Sequence, residues 1–574
     1  MAFASPGTTT RPASIQRVIE LDGAELPPDV DAQLESALVV DRLTMPDTFT
    51  LVFRDPGRDI LGRAGLDVGT KVRISTTSLR SDAPELLISG EVTGIEADYD
   101  SLGSRAVVRG YDLSHRLNAG RHSRTFLNVM ASDVANQIAS EAALQADVDD
   151  SGVTLDYVLQ ANQSNLEFLD GLARQVGFDF RVEDDVLLFK KPTESATAPA
   201  EGDVYTEDPV QLVWNHNLLE FRARISAVAQ VSEVKVRGWD VSAKEAVIGQ
   251  APVSASNAEL PLSPAELASR IGGEALVVVD RVVRDQDEAD ALAAARAEQV
   301  GSAAYEATAV AIGSPALRAG VAVSISGVDA ALCGKWVVTT TRHEFGAGSY
   351  QTHIECSGRQ DRSLHGVIAN GLPGVSGDRH RIPGLVVGIV TDNDDPEGLG
   401  RVKLKFPWLD DSVESWWARV AMPGAGGDSG MVWIPQVDDE VLVGFEQGDV
   451  RHPYVLGGLW NGRDGAPLGD GLFDAGSVKR SGFVSRRGHK LVFFDGDDES
   501  GIALLSADGK FKVSLNETSG RIHLVADGDL VIEANTLEIK VRQEASLEAV
   551  GIDLKASGQL KLKGATVALN PPGG

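Results

Sequence analysis

Cysteine is nearly absent: Cys333 and Cys356 are the only two in 574 residues, which excludes a disulfide framework. Their strand-like surroundings predict quiet core thiols rather than a bridge or a reactive pair. No apolar run reaches the ~18 residues of a membrane-spanning helix. The opening MAFASPGTTTRPAS lacks a basic segment leading into an apolar stretch. Synthesis in the cytoplasm without a signal peptide is therefore expected, with export by a machine that ignores such signals left open. His-Glu-x-x-His, Walker and dinucleotide glycine segments are missing and the ten histidines are scattered, so no metal or cofactor is expected. Basic residues are outnumbered 53 to 83, and the net charge of -30 opposes a general nucleic-acid or anionic-membrane binder.

What is present is glycine, 60 residues, with 24 prolines, in a chain long enough for three or four domains at roughly 150 residues each. Short alternating runs such as Ser36 to Val40, Thr48 to Phe53, Lys71 to Ser75 and Leu87 to Thr93 predict antiparallel sheet. A helix is expected from about Asp133 to Leu144. Ser164-Asn-Leu-Glu167 reads as a capping box, opening an amphipathic helix that Gly177 stops. Ser263-Pro-Ala-Glu266 repeats the device with proline at the first helical position. An Ala/Glu-rich helix is predicted from about Asp287 to Val310, then strands from Val321 to Cys356. These boundaries give a first domain over 1–200, a second over 201–370 and a linker over 371–383.

Residues 384–462 form a third unit. Five of the eight tryptophans, Trp408, Trp416, Trp417, Trp433 and Trp460, fall at its positions. Short strands, including Gly430 to Ile434, suggest a small closed barrel filled by these aromatics. After a connector over 463–482, the segment 483–574 changes character. It carries 13 basic and 14 acidic residues from position 471 onward, so nearly the whole acidic surplus lies earlier. Very short period-two runs recur there, with turns at Ala507-Asp-Gly509, Thr518-Ser-Gly520 and Ala526-Asp-Gly528.

Such runs have one apolar face and two unpaired edges. At about 1.5 kcal/mol per buried side chain, leaving the whole set exposed would forfeit more than the roughly 5–15 kcal/mol stability of an ordinary domain. Three chains, each supplying one wall of an edge-free prism, would bury them. Inward candidates are Val513, Leu515, Ile522, Leu524, Ile532, Ile539, Ile552, Leu554, Leu562 and Val567. A single-chain solenoid and a β-sandwich tail are the alternatives. The absence of proline between Val484 and Asn570 favours the prism. At its end Leu569, Asn570, Pro571 and Pro572 are either a fraying terminus or a blunt platform that docks another protein.

Other constellations read as structural. Gly427-Asp-Ser429-Gly430 is similar to a serine-protease nucleophile segment but has no convincing histidine partner, and a turn into a strand explains it. Asp392, Asp394, Asp395 and Glu397 lack calcium-loop spacing and predict a solvated hairpin, as do Asp495, Asp497, Asp498 and Glu499. The basic cluster His115, Arg116, Arg121, His122 and Arg124 would bind an acidic neighbour domain or subunit. No catalytic residue is assigned.

Several segments resemble the VgrG spike family of contractile injection systems and the related hub-and-spike proteins of contractile phage tails. Hub-like segments are Tyr111-Asp-Leu-Ser-His115-Arg-Leu, Arg121-His-Ser-Arg124-Thr-Phe126, Asn165-Leu-Glu-Phe-Leu169 and Leu172-Ala-Arg-Gln-Val-Gly177. Gly400-Arg-Val-Lys-Leu-Lys-Phe406, Trp417-Ala-Arg-Val420, Gly430-Met-Val-Trp-Ile-Pro435, Glu440-Val-Leu-Val-Gly-Phe445, Gly448-Asp449 and Pro453-Tyr-Val-Leu-Gly457 resemble its OB-fold pattern. The resemblance implies a mainly β, multidomain chain: two hub barrel-like domains with accessory helices, an OB-fold barrel, and a C-terminal intertwined trimeric β-helix or prism. It further implies a homotrimer, a PAAR-repeat-like tip protein, contacts to inner tube and baseplate proteins, effector cargo, and mechanical piercing of a target membrane. The implied role is a non-enzymatic spike and hub joining a hexameric tube to a threefold needle. A wall-degrading tail enzyme and a carbohydrate-binding fibre are the competing readings. Some relatives insert a lysozyme domain after the OB fold, where this chain has about 20 residues, or extend beyond the prism, where it ends at Gly574. These departures resemble phage-tail-like particles that act outside the cell, and they lead to the expectation that any catalytic cargo arrives on a partner.

Overall fold

Alternation of apolar and polar residues dictates the largest element, an antiparallel sheet of eleven strands. Its order is 218–225, 305–312, 349–356, 340–346, 34–42, 48–54, 103–112, 81–100, 71–78, 17–21 and 24–25. The computed structural model describes residues 15–78, 81–101, 103–202, 208–346, 349–358 and 381–568. Its contacts divide the chain into two units, Met1–Leu459 and Trp460–Gly574. In the first unit the strand Thr340–Gly346 pairs with Leu34–Arg42, from Thr340 opposite Arg42 to Gly346 opposite Ser36. The large sheet thus joins strands from both sides of residue 200. Phe49, Leu51, Phe53, Val39 and Ile74 fill one core on it, and Trp336, Tyr305 and Ile325 fill a second. Glycine is required at position 110, where a Cβ would lie 2.2 Å from the Phe49 ring and from the Glu91 carbonyl oxygen.

Two helical lobes extend this sheet. In the first, helices Ala131–Glu141 and Asn165–Val176 pack Ile138, Leu169 and Leu172 against Phe126, Leu187 and Phe189. The capping box forms as its sequence requires: Ser164 Oγ accepts from Glu167 N at 3.2 Å, and Glu167 accepts from Ser164 N at 3.1 Å. Gly177 closes the helix at φ 75°. The second lobe sets helix Gln286–Ser302 across strands Glu233–Asp240 and Glu245–Pro252, with Ala289, Leu292, Ala293 and Ala297 on Val234, Val236 and Val247. Ser263 and Glu266 cap the helix Pro264–Ile271. The Ala/Glu-rich helix stops at Ser302, short of the expected Val310. Tyr305–Ile312 alternates with period two and is a sheet strand paired on both sides, so ladder hydrogen bonds override the local alanine content. Cys356 is buried, and burial pushes its thiol up to about 12. Cys333 is half-buried, and both thiols are free.

A five-stranded sheet ordered 403–405, 386–392, 440–445, 453–458, 419–420 closes through bridges Val402–Ala418 and Lys405–Glu414. Its core is aliphatic rather than tryptophan-rich, which corrects the expectation: Val390, Val402, Leu404, Ala418, Val441, Val443 and Val455 surround Phe406. Trp408 and Trp433 are exposed by 45% and 46%, while Trp416 packs beside Tyr157, ring centroids 6.4 Å apart. Aliphatic side chains with one phenyl ring fill the barrel interior, and Trp408 and Trp433 stand outside it. Residues 431–434 form no strand; Ser429–Gly430 pairs only with Ala425–Gly426 in a short hairpin. The barrel is fastened within its unit by Tyr157, Leu159, Val413 and Val450. Arg284 also pairs with Glu446 at 3.0 Å, and Glu446 accepts from the Tyr454 hydroxyl at 2.9 Å.

These contacts set two mutational expectations. Ser164→Ala should cost about 1 kcal/mol, the usual loss for an N-cap. Gly249→Ala should cost more, because its Cβ would sit 2.2 Å from the Ala289 carbonyl oxygen and push the helix off its sheet. Denaturant unfolding of the two variants measures both, and equal midpoints to the parent would refute the packing described.

Candidate functional site: an unpartnered apolar face

In the second unit, strands Arg480–Val484, Lys490–Asp495, Ser500–Leu505, Phe511–Asn516 and Arg521–Ala526 form a simple antiparallel meander. Register decides its faces, since directly opposed residues project to the same side. One row runs Phe483, Leu491, Leu504, Val513, Leu524, and the next Ser481, Phe493, Ile502, Leu515, Ile522. Within these two rows Ser481 alone is polar, and at one end the face continues to the opposed pair Asp495 and Ser500. The other face carries Arg480, Lys490, Lys512, Arg521 and His523 with Val492, Ala503 and Ser514 between them. Four inward candidates, Val513, Leu515, Ile522 and Leu524, therefore meet on one surface, and all are exposed in the single chain, Ile522 by 75%.

Phe483, Leu491, Phe493, Ile502 and Leu504 belong to the same face and were missed by the sequence reading. The period-two signal was present, but Val492, Phe494 and Leu505 on the opposite face blur it into continuous apolar runs. Beyond Asp527 the expected short strands do not form among the described residues. A strand exists only with a hydrogen-bonded neighbour, and one copy of this segment supplies none. Ile532, Ile539, Ile552, Leu554, Leu562 and Val567 lie there, all exposed. Leu569, Asn570, Pro571 and Pro572 lie outside the described residues.

The remaining polar constellations are occupied by their own neighbours. Ser429 stands at an exposed hairpin whose turn residue Asp428 has φ 53°. Arg116 pairs with Glu91, Arg121 with Glu167 at 3.3 Å, and Arg124 with Glu141 at 2.6 Å and Gln160 at 2.8 Å. His115 Nδ1 contacts the Asp112 carbonyl oxygen at 2.6 Å. The three arginines of the basic cluster are thus paired with carboxylates of this same unit, one on the large sheet and two in the first lobe. Lys479 reaches Asp497 at 3.5 Å.

Asp395 is not solvated as expected. Its side chain is 3% exposed and binds Arg401 at 2.6 and 3.0 Å, with backbone N–H groups of Leu399 and Arg401 donating to Oδ2. Burial alone would raise its carboxyl, but these donors outweigh it and hold the group down at about 2, against an ordinary 3.8. Because the folded value is depressed, the pairing stabilises the barrel fully above pH ~4, and that contribution fades as pH falls through about 2. Thermal melts of Asp395→Asn should therefore lie below the parent at pH 7 and approach it near pH 2; a constant gap would refute the assignment.

Comparison with known proteins places this geometry. Residues 386–460 match the family model described as the type VI secretion system/phage-baseplate injector OB domain, and residues 70–346 match one described as the Alg8 N-terminal domain. The type VI secretion system spike protein VgrG2a of Pseudomonas aeruginosa is 31% identical over 141 residues, 23% of this chain and 17% of that one. VgrG3 of Vibrio cholerae, also a type VI spike protein, is 31% identical over 115 residues, 19% of this chain and 11% of that one. The aligned segments thus span under a fifth of these relatives. A chain in the half-lidded Francisella PdpA–VgrG complex shares the fold at 9% identity, TM-score 0.51, over 89% of this chain and 87% of that one. With its injector OB domain and mainly β, multi-sheet architecture, the chain resembles the VgrG-type spike and hub proteins of contractile injection systems.

Proposed function

We propose that this chain is a non-enzymatic spike and hub of a contractile injection machine and works as a homotrimer. The carrying observation is the register of the meander, which puts nine apolar side chains and Ser481 in two adjacent rows on a face left uncovered among the described residues. Apolar surface of that extent marks an interaction site. A second and third copy supply the matching face, and their strands give the segment after Asp527 the ladder partners it lacks. Closed threefold pairing leaves no strand edge open and makes a stiff needle.

In this reading the first unit joins a hexameric inner tube and baseplate to the needle, whose blunt end receives a PAAR-repeat-like tip protein or an effector. Sheath contraction drives the assembly through the target membrane, so rigidity replaces an active site. The protein is made in the cytoplasm and released within a phage-tail-like particle. A glycan-binding fibre is the second reading, favoured by the exposed Trp408 and Trp433.

Native mass measurement of the purified full chain should give three times the 60.8 kDa protomer, and negative-stain images a narrow rod on a wider base. A stable monomer refutes the proposal. Ile539→Asp should abolish or weaken the trimer, because three carboxylates would meet in one apolar layer; unchanged mass and melting would remove Ile539 from that layer. Glycan binding lost in Trp408→Ala would establish the second reading instead.

A further inference from the structure

The first unit contains a cavity of about 320 Å³ between the strand Ser81–Asp100, the hairpin Asp179–Lys190, and Asp47 and Asp112. Val186, Leu188 and Ile88 give it apolar lining, and Asp47, Asp112 and Arg318 polar lining. Asp147, Glu183 and Asp184 also border it, each paired with a cation of its own: Lys190, Arg181 at 2.8 Å and Arg73 at 3.1 Å. The polar groups differ in what they have left to offer. Asp112 is fully engaged: Oδ1 accepts from Ser114 N at 3.0 Å and from the Ser114 hydroxyl, and Oδ2 from Asp47 N at 3.1 Å. Arg318 is spent on Asp41 at 3.3 Å and on the carbonyl oxygens of Leu86 and Leu87, each at 3.3 Å.

Asp47 is different. It is 7% exposed, and its Oδ1 accepts from Arg42 N at 2.8 Å. Its Oδ2 has no donor among the described residues and is not sealed from the cavity. Burial, reinforced by the charges of Asp41 and Asp112, pushes the Asp47 carboxyl well above the usual range. Arg318 and, beside Asp41, Arg181 are the guanidiniums facing the three buried carboxylates Asp41, Asp47 and Asp112, so carboxylates outnumber cations in the cluster. A hard metal ion would need about six oxygen ligands, whereas the carboxylates on the hairpin side are already paired with Arg181, Arg73 and Lys190. A donor on an apolar stem satisfies both halves of the lining.

We propose that this cavity binds an organic cation, an alkylammonium or alkylguanidinium whose head donates to Asp47 Oδ2 while its stem lies against Val186, Leu188 and Ile88. The head belongs either to a free small amine or to a lysine or arginine side chain of a neighbouring copy. This inference does not depend on the spike reading.

Titration calorimetry of the full chain with butylammonium, and with tetramethylammonium as a cation lacking N–H donors, tests it. Saturable binding of butylammonium with one site per chain, at least tenfold tighter than tetramethylammonium, is expected. Asp47→Asn should lose at least tenfold in affinity. Ser89→Phe, placed on the cavity wall, should block the probe while leaving Asp47 and the melting temperature intact, which guards against an unfolded Asp47 variant. Binding to every oligomeric form assigns the site to free amines, whereas binding to monomer but not to trimer assigns it to a side chain of a neighbouring copy. Absence of saturation at 10 mM probe, on the order of the weakest specific affinities, or equal affinity in Asp47→Asn, overturns the proposal.

Discussion

A β-strand presents two demands at once, hydrogen-bond partners at both edges and cover for its apolar face, and the organisation of this chain follows from where each is met. In the first unit both are met internally except at the two end strands of the large sheet. The eleven-stranded sheet runs from Leu218–Ile225 at one end to Ala24–Glu25 at the other, with core clusters on its face. In the second unit the meander satisfies its backbone but not its apolar face, and the segment after Asp527 satisfies neither. Such a surface calls for cover from outside its own strands, which is the physical content of the trimeric reading.

The first unit uses charge differently from what an acidic composition suggests. Arginines that form an apparent basic patch in sequence reach carboxylates 17 to 46 residues away, as Arg124 does with Glu141 and Arg121 with Glu167. Asp395 and Arg401 close a turn of the barrel in the same manner. These pairs fix lobes and turns and leave few free charges on those elements. Around Asp47 the balance fails, and the buried carboxylates Asp41, Asp47 and Asp112 outnumber Arg318 and Arg181 beside an open volume. His343, buried on the same sheet, stays neutral: burial and the Arg318 charge bring it down to about 3.

Volume inside the barrel decides where its indoles stand. A five-stranded barrel of this size is filled by Phe406 and seven aliphatic side chains, so Trp408 and Trp433 have no interior to enter. Lys403 lies 5.1 Å from the Trp417 ring centroid, a cation on an aromatic face rather than a core contact.

Local devices were legible from residues alone. Ser164 and Ser263 with Glu167 and Glu266 three positions on, Gly177 as a stop, and the alternation of Thr48–Arg54 each encode their conformation within a few residues, because caps and strand faces depend on nearest neighbours. The OB pattern over 386–460 was legible for the same reason. Tertiary structure alone decided that the helix ends at Ser302, since the competing ladder comes from strands Leu218–Ile225 and Ser349–Cys356. It alone decided that the tryptophans stand outside, that Phe483 and Leu504 share a face with Val513, and that Asp47 opens into a cavity. Those outcomes depend on register and on volumes between elements distant in the chain, and no window of sequence contains both sides of such a contact.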